Sequence, residues 1–226
     1  TIKIGPDGFK AGYLRLGGFV QYGNAPISLP LTDDAAFYID NAGAPCTIGG
    51  DLEVTAVNIY IRGGIFNQRA NFTKTGGTNN HNEGRQNIFN GVLTINQQSN
   101  SGYFMLGYNA DDQFDEDIIV TASGSGNINF GWPGGSGKPG LAAGKTIKIG
   151  AGGFNEGALN LYSFTQHGNA PVNLTLGGTN ATLRFSHNSV IGGDLNANTP
   201  NIYLNSSTFH GTVDVIKTGG TDNASQ

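Results

Sequence analysis

Five acidic residues stand within the stretch NADDQFDEDI: Asp111, Asp112, Asp115, Glu116 and Asp117, out of sixteen acids in the whole chain. Oxygen-rich loops bind Ca²⁺, which makes Asp111, Asp112, Asp115 and Asp117 the metal candidates. The spacing departs from that of an EF-hand loop, and the glycine required at its sixth position is missing. Read as a strand, the segment puts Asp115 and Asp117 on one face, with Phe114 and Ile118 on the other. The plainer reading is a solvated acidic edge that discourages lateral aggregation.

Two glycine-rich stretches, GPDGF at 5–9 and IGGDL at 48–52, have the look of phosphate cradles. A phosphate loop needs a following Lys-Ser/Thr and a helix N-terminus, and neither is present. Both stretches therefore read as corners, with the glycines expected at positive φ. Around the second, Ile48, Leu52 and Val54 are expected in the core, and Asp51 and Glu53 in solvent. The histidines, His81, His167, His187 and His210, are scattered without a shared spacing. Cys46 is the single cysteine, so neither an internal disulfide nor a zinc site is available to it. A net charge of −4 without a basic stripe argues against a nucleic-acid partner.

The elements that must hold these residues emerge from internal repetition. TIKIGPDGF at 1–9 returns as TIKIGAGGF at 146–154, and QYGNAP at 21–26 returns as QHGNAP at 166–171, an offset of 145. IGGDL, NIY and KTGGT recur at an offset of 143, which places a two-residue difference in DNAGAPC at 40–46. The chain is thus a first unit over 1–145, starting mid-unit, and a partial second unit over 146–226. The copies do not share candidate catalytic groups. Arg15 corresponds to Asn160, Arg62 to Asn205, Arg69 to Thr212, and His167 to Tyr22.

A shorter pattern lies inside the unit: an apolar residue, a glycine two positions on, then apolar residues two and four positions later. It reads IGGDLEV at 48, FNGVLTI at 89, IGGDLNA at 191 and FHGTVDV at 209. FNQRANF at 66 and FDEDIIV at 114 keep the frame without the glycine. These boxes begin 18, 23 and 25 residues apart in the first copy and 18 apart in the second. Period-two segments such as LNLYSF, VNLTL and TLRF lie between them. With 37 glycines and 12% charged residues, the composition is that of an all-β chain rich in turns. Coils of 18 to 25 residues with glycine and asparagine corners are the periodicity of a parallel β-helix, here expected to be right-handed. A unit then holds six or seven coils. Asparagine is expected to serve the corners through its tolerance of the left-handed region. An all-β sandwich is the competing fold.

The FNGVLTI box, GKTIKIG at 144–150 and the intervening SGYFMLGYNADDQFDEDIIVTASGSGNINFG together resemble a known family. They are similar to the long β-strand repeats of giant cell-surface proteins of Bacteroidota, which are exported by the type 9 secretion system and include gliding-motility adhesins. The resemblance covers essentially the whole chain. It implies a secreted, extracellular, filament-like adhesin stalk and brings no catalytic residues.

The function expected is that of a structural segment, not an enzyme. It stacks on neighbouring repeats of the same chain, and its further partners would be surface glycans, the substratum, or other rods in lateral self-association. Apart from the calcium candidates it calls for no cofactor. The chain has no apolar run of bilayer-spanning length and opens inside TIKIG, so it reads as a window from a longer protein. The alternative is a glycan-binding module or a β-helical polysaccharide-active enzyme, which requires acids and a basic group converging in one groove.

Overall fold

The structure, a computed structural model, describes residues 2, 4, 8–41, 43–79 and 85–220. His81 and residues 5–7 of GPDGF lie outside the described residues. The chain is all-β: among the described residues there are strands, turns and bends, and no helix. Every paired strand is parallel to its neighbour, for example Leu52–Ala56 with Ala70–Lys74, which excludes an antiparallel sandwich. Parallel pairing requires a crossover between partners. Here each crossover passes through one or two other sheets, an arrangement consistent with a β-solenoid.

One circuit shows the pattern. Leu52–Ala56 lies in a six-stranded sheet, Asn58–Arg62 in a three-stranded one, and Gly64–Phe66 in an eight-stranded one. The next strand, Ala70–Lys74, returns to pair with the first. The six-stranded sheet is followed along the chain by the three strands Val172–Thr175, Leu195–Thr199 and Val213–Lys217, and these together make the first face. The second face begins with Tyr13–Gly17, Ala36–Asp40 and Asn58–Arg62, then resumes as five strands from Tyr103–Leu106 to Asn201–Leu204. The third face is the eight-stranded sheet, from Cys46–Ile48 to Ser207–Phe209.

The box pattern is the register of this third face. Ile48 pairs with Phe66, Phe66 with Phe89, Phe89 with Phe114, Phe114 with Leu141, and Ile191 with Phe209. The rings stack as expected of apolar ladders, with Phe66 to Phe89 at 4.7 Å and Phe89 to Phe114 at 5.3 Å between centroids. On the first face, successive partners are Ile27, Leu52, Ala70, Leu93, Ile118 and Ile147. Their separations run from 18 to 29 residues (52 to 70, 118 to 147), longer at the top than the expected 25. The longest circuit carries the outlying segment GWPGGSGKP at 131–139. From Ile27 to Val172, one unit later, the first face advances six circuits, inside the expected six or seven.

The two copies repeat strand for strand, Ile27–Pro30 to Ala70–Lys74 matching Val172–Thr175 to Val213–Lys217. Pairing corrects where they differ in length. Leu14 pairs with Phe37, whereas Leu159 pairs with Leu183, so the offset rises from 145 to 146 before this strand. It falls to 143 at Ile48 and Ile191. One residue is therefore gained before the strand and three are lost after it, in place of a single two-residue change at 40–46. Insertions collect in corners because a strand shifted by one would turn its apolar side chains outward.

Candidate functional site

The IGGDL stretch is a clasp between circuits. Ile48, Leu52 and Val54 are buried as expected, and Glu53 is exposed. The N–H groups of Gly49 and Gly50 donate to Gln21 Oε1 at 3.2 and 3.3 Å, and Gln21 Nε2 donates to the Ala25 carbonyl at 2.6 Å. In the second copy Gly193 donates to Gln166 Oε1, and Gln166 Nε2 donates to the Ala170 carbonyl at 2.9 Å. The QxGNAP and IGGDL motifs thus recur together because they touch.

The glycines are not in the left-handed region that was expected of them; Gly50, Gly91, Gly193 and Gly211 are absent from the positive-φ positions. They are required by close approach. A Cβ on Gly50 would sit 2.4 Å from the Ala25 carbonyl oxygen, and one on Gly193 2.1 Å from that of Ala170. Asparagine stands at the corners, as at Asn67, Asn90 and Asn205, without the left-handed conformation expected there, since Asn188 is the one asparagine at positive φ among the described residues. Its side chains bridge adjacent circuits instead: Asn96 donates to Asn71 at 2.9 Å, Asn160 to Asn129 at 2.7 Å, and Asn196 to Asn173 at 2.8 Å.

The acidic stretch does not form one loop around a centre. Residues 115–117 lie between the strands Gln113–Phe114 and Ile118–Ala122, so they turn a corner, and the strand reading of Asp115 and Asp117 is replaced. Asp117 accepts from Thr146 N at 2.9 Å and pairs with Lys148, whose ammonium helps to hold its carboxyl below the usual range. Asp51 and Asp194 occupy the same corner position, and each accepts the backbone N–H of its counterpart in the next circuit, Arg69 and Thr212. Asp51 is therefore half-buried and bonded, not simply solvated. Glu116 pairs with Lys145, Asp115 accepts from Gln113, and Asp111 accepts from Lys138 N at 2.7 Å. Among the described residues no three His, Cys, Asp or Glu side chains come together as a metal centre.

Asp112 is set apart from its neighbours by burial, with 1% of its surface exposed. It accepts from Asn87 N at 2.7 Å, Asn87 Nδ2 at 3.1 Å and Gly107 N at 2.8 Å. Asn87 in turn donates to the Ile61 carbonyl and accepts from Gly64 N, so two side chains bind together three stretches of chain. Desolvation outweighs these donors and pushes the carboxyl up to about 7. Lys74, also fully buried, donates to the carbonyls of Val57 and Gly76, and burial lowers its ammonium to about 8. Cys46 is buried and its thiol is pushed up to about 11, which leaves it protonated and unreactive at neutral pH.

Two open grooves gather mixed charge. Asp111, Asp115, Lys138 and His167 surround a pit of about 360 Å³ on the third face, above Gly140 and Ala142. Asp115 and His167 follow strands that lie two apart in this sheet, with Gly140–Leu141 between them, and their side chains share no hydrogen bond or ion pair. His187 contacts Ser186 Oγ and the ring of Tyr162, and His210 is exposed on a corner. A groove of about 250 Å³ on the second face is lined by Tyr13, Arg15, Tyr38, Asp40 and Arg62. Tyr38 stacks on Tyr60 at 4.5 Å, Tyr13 meets Tyr38 edge-on at 5.6 Å, and Arg15 pairs with Asp40 at 2.7 Å.

Compared with family models, curated proteins and solved structures, the chain has no match. Its functional residues are thus those its own geometry singles out. The Gln21 clasp was visible in sequence as the QxGNAP recurrence, which composition alone attributes to turns. Part of the tyrosine set was also encoded, since 38 and 60 are one circuit apart, but only the register sets the contacts: it places Arg15 beside Tyr38 and Tyr13 diagonally from it, opposite Ala36.

Proposed function

We propose that the chain is a structural segment of a long extracellular adhesin or surface filament, folded as a right-handed parallel β-helix and acting as a stiff stalk in attachment or gliding. The observation that supports this best is the parallel pairing that runs from the first copy into the second, with one apolar core beneath both. In such a rod each circuit buries the apolar face of the one before, so stability is the sum of circuits and of their contacts. Side-chain bonds between circuits, from Gln21, Asp51, Asn96 and Asn160, resist sliding and shear. The resemblance of the FNGVLTI and GKTIKIG stretches to type 9-secreted repeats supports the cell-surface setting.

The test is length. Appending one further complete unit to this chain should lengthen the particle by about 29 Å at unchanged width, from six circuits at about 4.8 Å each. Electron microscopy that instead shows two beads joined by a tether would overturn the stalk. A polysaccharide-active enzyme is the competing function, and new reducing ends or unsaturated products from a polysaccharide panel would establish it.

A further inference from the structure

The second face carries side chains that its winding does not require. Arg15, Tyr38 and Tyr60 are aligned on three successive strands, and Asp40 faces Arg62 in the same register. The corresponding row of the second copy is Asn160, Arg184 and Tyr203, with Ser186 at the place of Asp40 and Asn205 at that of Arg62. Backbone pairing is the same in both. The second copy keeps one such contact, Arg184 over Tyr203 at 4.7 Å, but has Ala158, Asn160 and Asn205 at the places of Tyr13, Arg15 and Arg62, so a purely mechanical role leaves these three side chains of the first copy unexplained.

Charge is concentrated here as well. Of the five arginines in a chain of net charge −4, Arg15 and Arg62 line the groove, and Arg85 donates at 2.5 Å to the side-chain oxygen of Asn41, the residue after Asp40. Among the described residues Asp40 is the one acid in the lining and pairs with Arg15 at 2.7 Å, so with Arg62 the groove carries a net excess of one positive charge. A tyrosine ring presents an apolar surface to the C–H face of a sugar, and its hydroxyl reaches sugar oxygens. A guanidinium fork binds a carboxylate through two parallel hydrogen bonds, with a geometry lysine cannot reproduce.

We propose that this face is a binding site for an acidic polysaccharide, with Tyr13 and Tyr38 as the stacking surface and Arg15 and Arg62 as carboxylate-recognising groups. The groove is open and small, so it takes one or two sugar residues of a longer polymer and leaves the rest in solvent. The site stands apart from the stalk reading: a rod with no ligand and a globular protein with this ligand are both distinguishable outcomes.

Binding of the whole chain to polygalacturonate, dextran and polyphosphate, measured by affinity electrophoresis and titration calorimetry, tests it. Polygalacturonate should retard the chain and dextran should not. Arg15→Lys with Arg62→Lys keeps the charge and the aliphatic stems but removes both forks, and should weaken binding about tenfold or more at unchanged melting temperature. Tyr13→Ala should weaken it too, whereas Tyr22→Ala, at a 97% exposed position outside the groove, should not. Equal binding to dextran, equal binding to polyphosphate, no binding at all, or full binding by the double lysine variant would each overturn the proposal.

Discussion

Gly50 donates its backbone N–H to the side-chain oxygen of Gln21 at 3.3 Å, across the boundary between two successive circuits. The contact forms only because position 50 lacks a Cβ, which would meet the Ala25 carbonyl oxygen at 2.4 Å. Gly50→Ala must therefore push the two corners apart, and it should destabilise the chain by about 2 kcal/mol or more, through overpacking and the loss of hydrogen bonds. Gly12→Ala is the useful contrast. It has open space around it but a φ of +83°, so its cost is backbone strain of about 1 kcal/mol. Urea denaturation of both variants checks the order.

Leu52 and Asp51 are neighbours with different duties. Leu52 is 1% exposed, and Leu52→Ala should cost about 2 to 5 kcal/mol by opening a cavity in the continuous core. Asp51→Ala removes an exposed ion pair with Arg69, worth little, and one acceptor for the Arg69 N–H, for a total of about 1 kcal/mol. Equal losses would mean that the corner carboxylates, not the apolar ladders, hold circuits together.

Asp112 sets an acid-side pH dependence. Its carboxyl ionises near 4 when the chain is unfolded but only near 7 when buried, so between these values the folded form binds more protons. On account of this group, stability should be greatest at the acid end of the window, fall as pH rises from about 4 to 7, and level off above. Asp112→Asn should abolish the slope. The depressed carboxyl of Asp117 acts in the opposite sense and only below about 4, so it leaves this window clear.

Lys74 sets the alkaline counterpart. Burial lowers its ammonium to about 8, below its value near 10.5 in the unfolded chain, so the folded form binds fewer protons between the two. On account of this group, stability should therefore rise as pH increases through that range, while the raised thiol of Cys46 acts in the opposite sense above about 9. Lys74→Met keeps the buried stem and should flatten the rise, as read from melting temperatures at pH 8 and pH 10.

Cys46 reports on opening. With its side chain buried on the third face and its thiol pushed up to about 11, it should react with a maleimide at pH 7 only as fast as its circuit opens. Addition of urea below the midpoint should accelerate labelling. Immediate labelling in water would place Cys46 at the surface and contradict its packing.

Much of the fold was legible from the order of residues because winding makes a local pattern out of a distant contact. Ile48, Phe66, Phe89 and Phe114 meet in space, and the same four positions open recurring boxes in the chain. Periodicity therefore reveals the all-β class, the inward faces and the repeat without any coordinates. What it left open are the features set by approach between circuits. Gly50 and Gly12 are the same letter, and only the packing distinguishes a residue that must admit a neighbouring carbonyl from one that must take a positive φ. Asp112 and Asp115 are likewise the same letter in one acidic stretch. Register and corner geometry bury the first against Asn87 and leave the second at the rim of an open pit. Which residues line the core follows from the order of apolar residues, since hydrophobic burial tracks composition and period. The tertiary structure alone decided which polar groups meet, because hydrogen bonds depend on distances of a few tenths of an ångström that no residue spacing specifies.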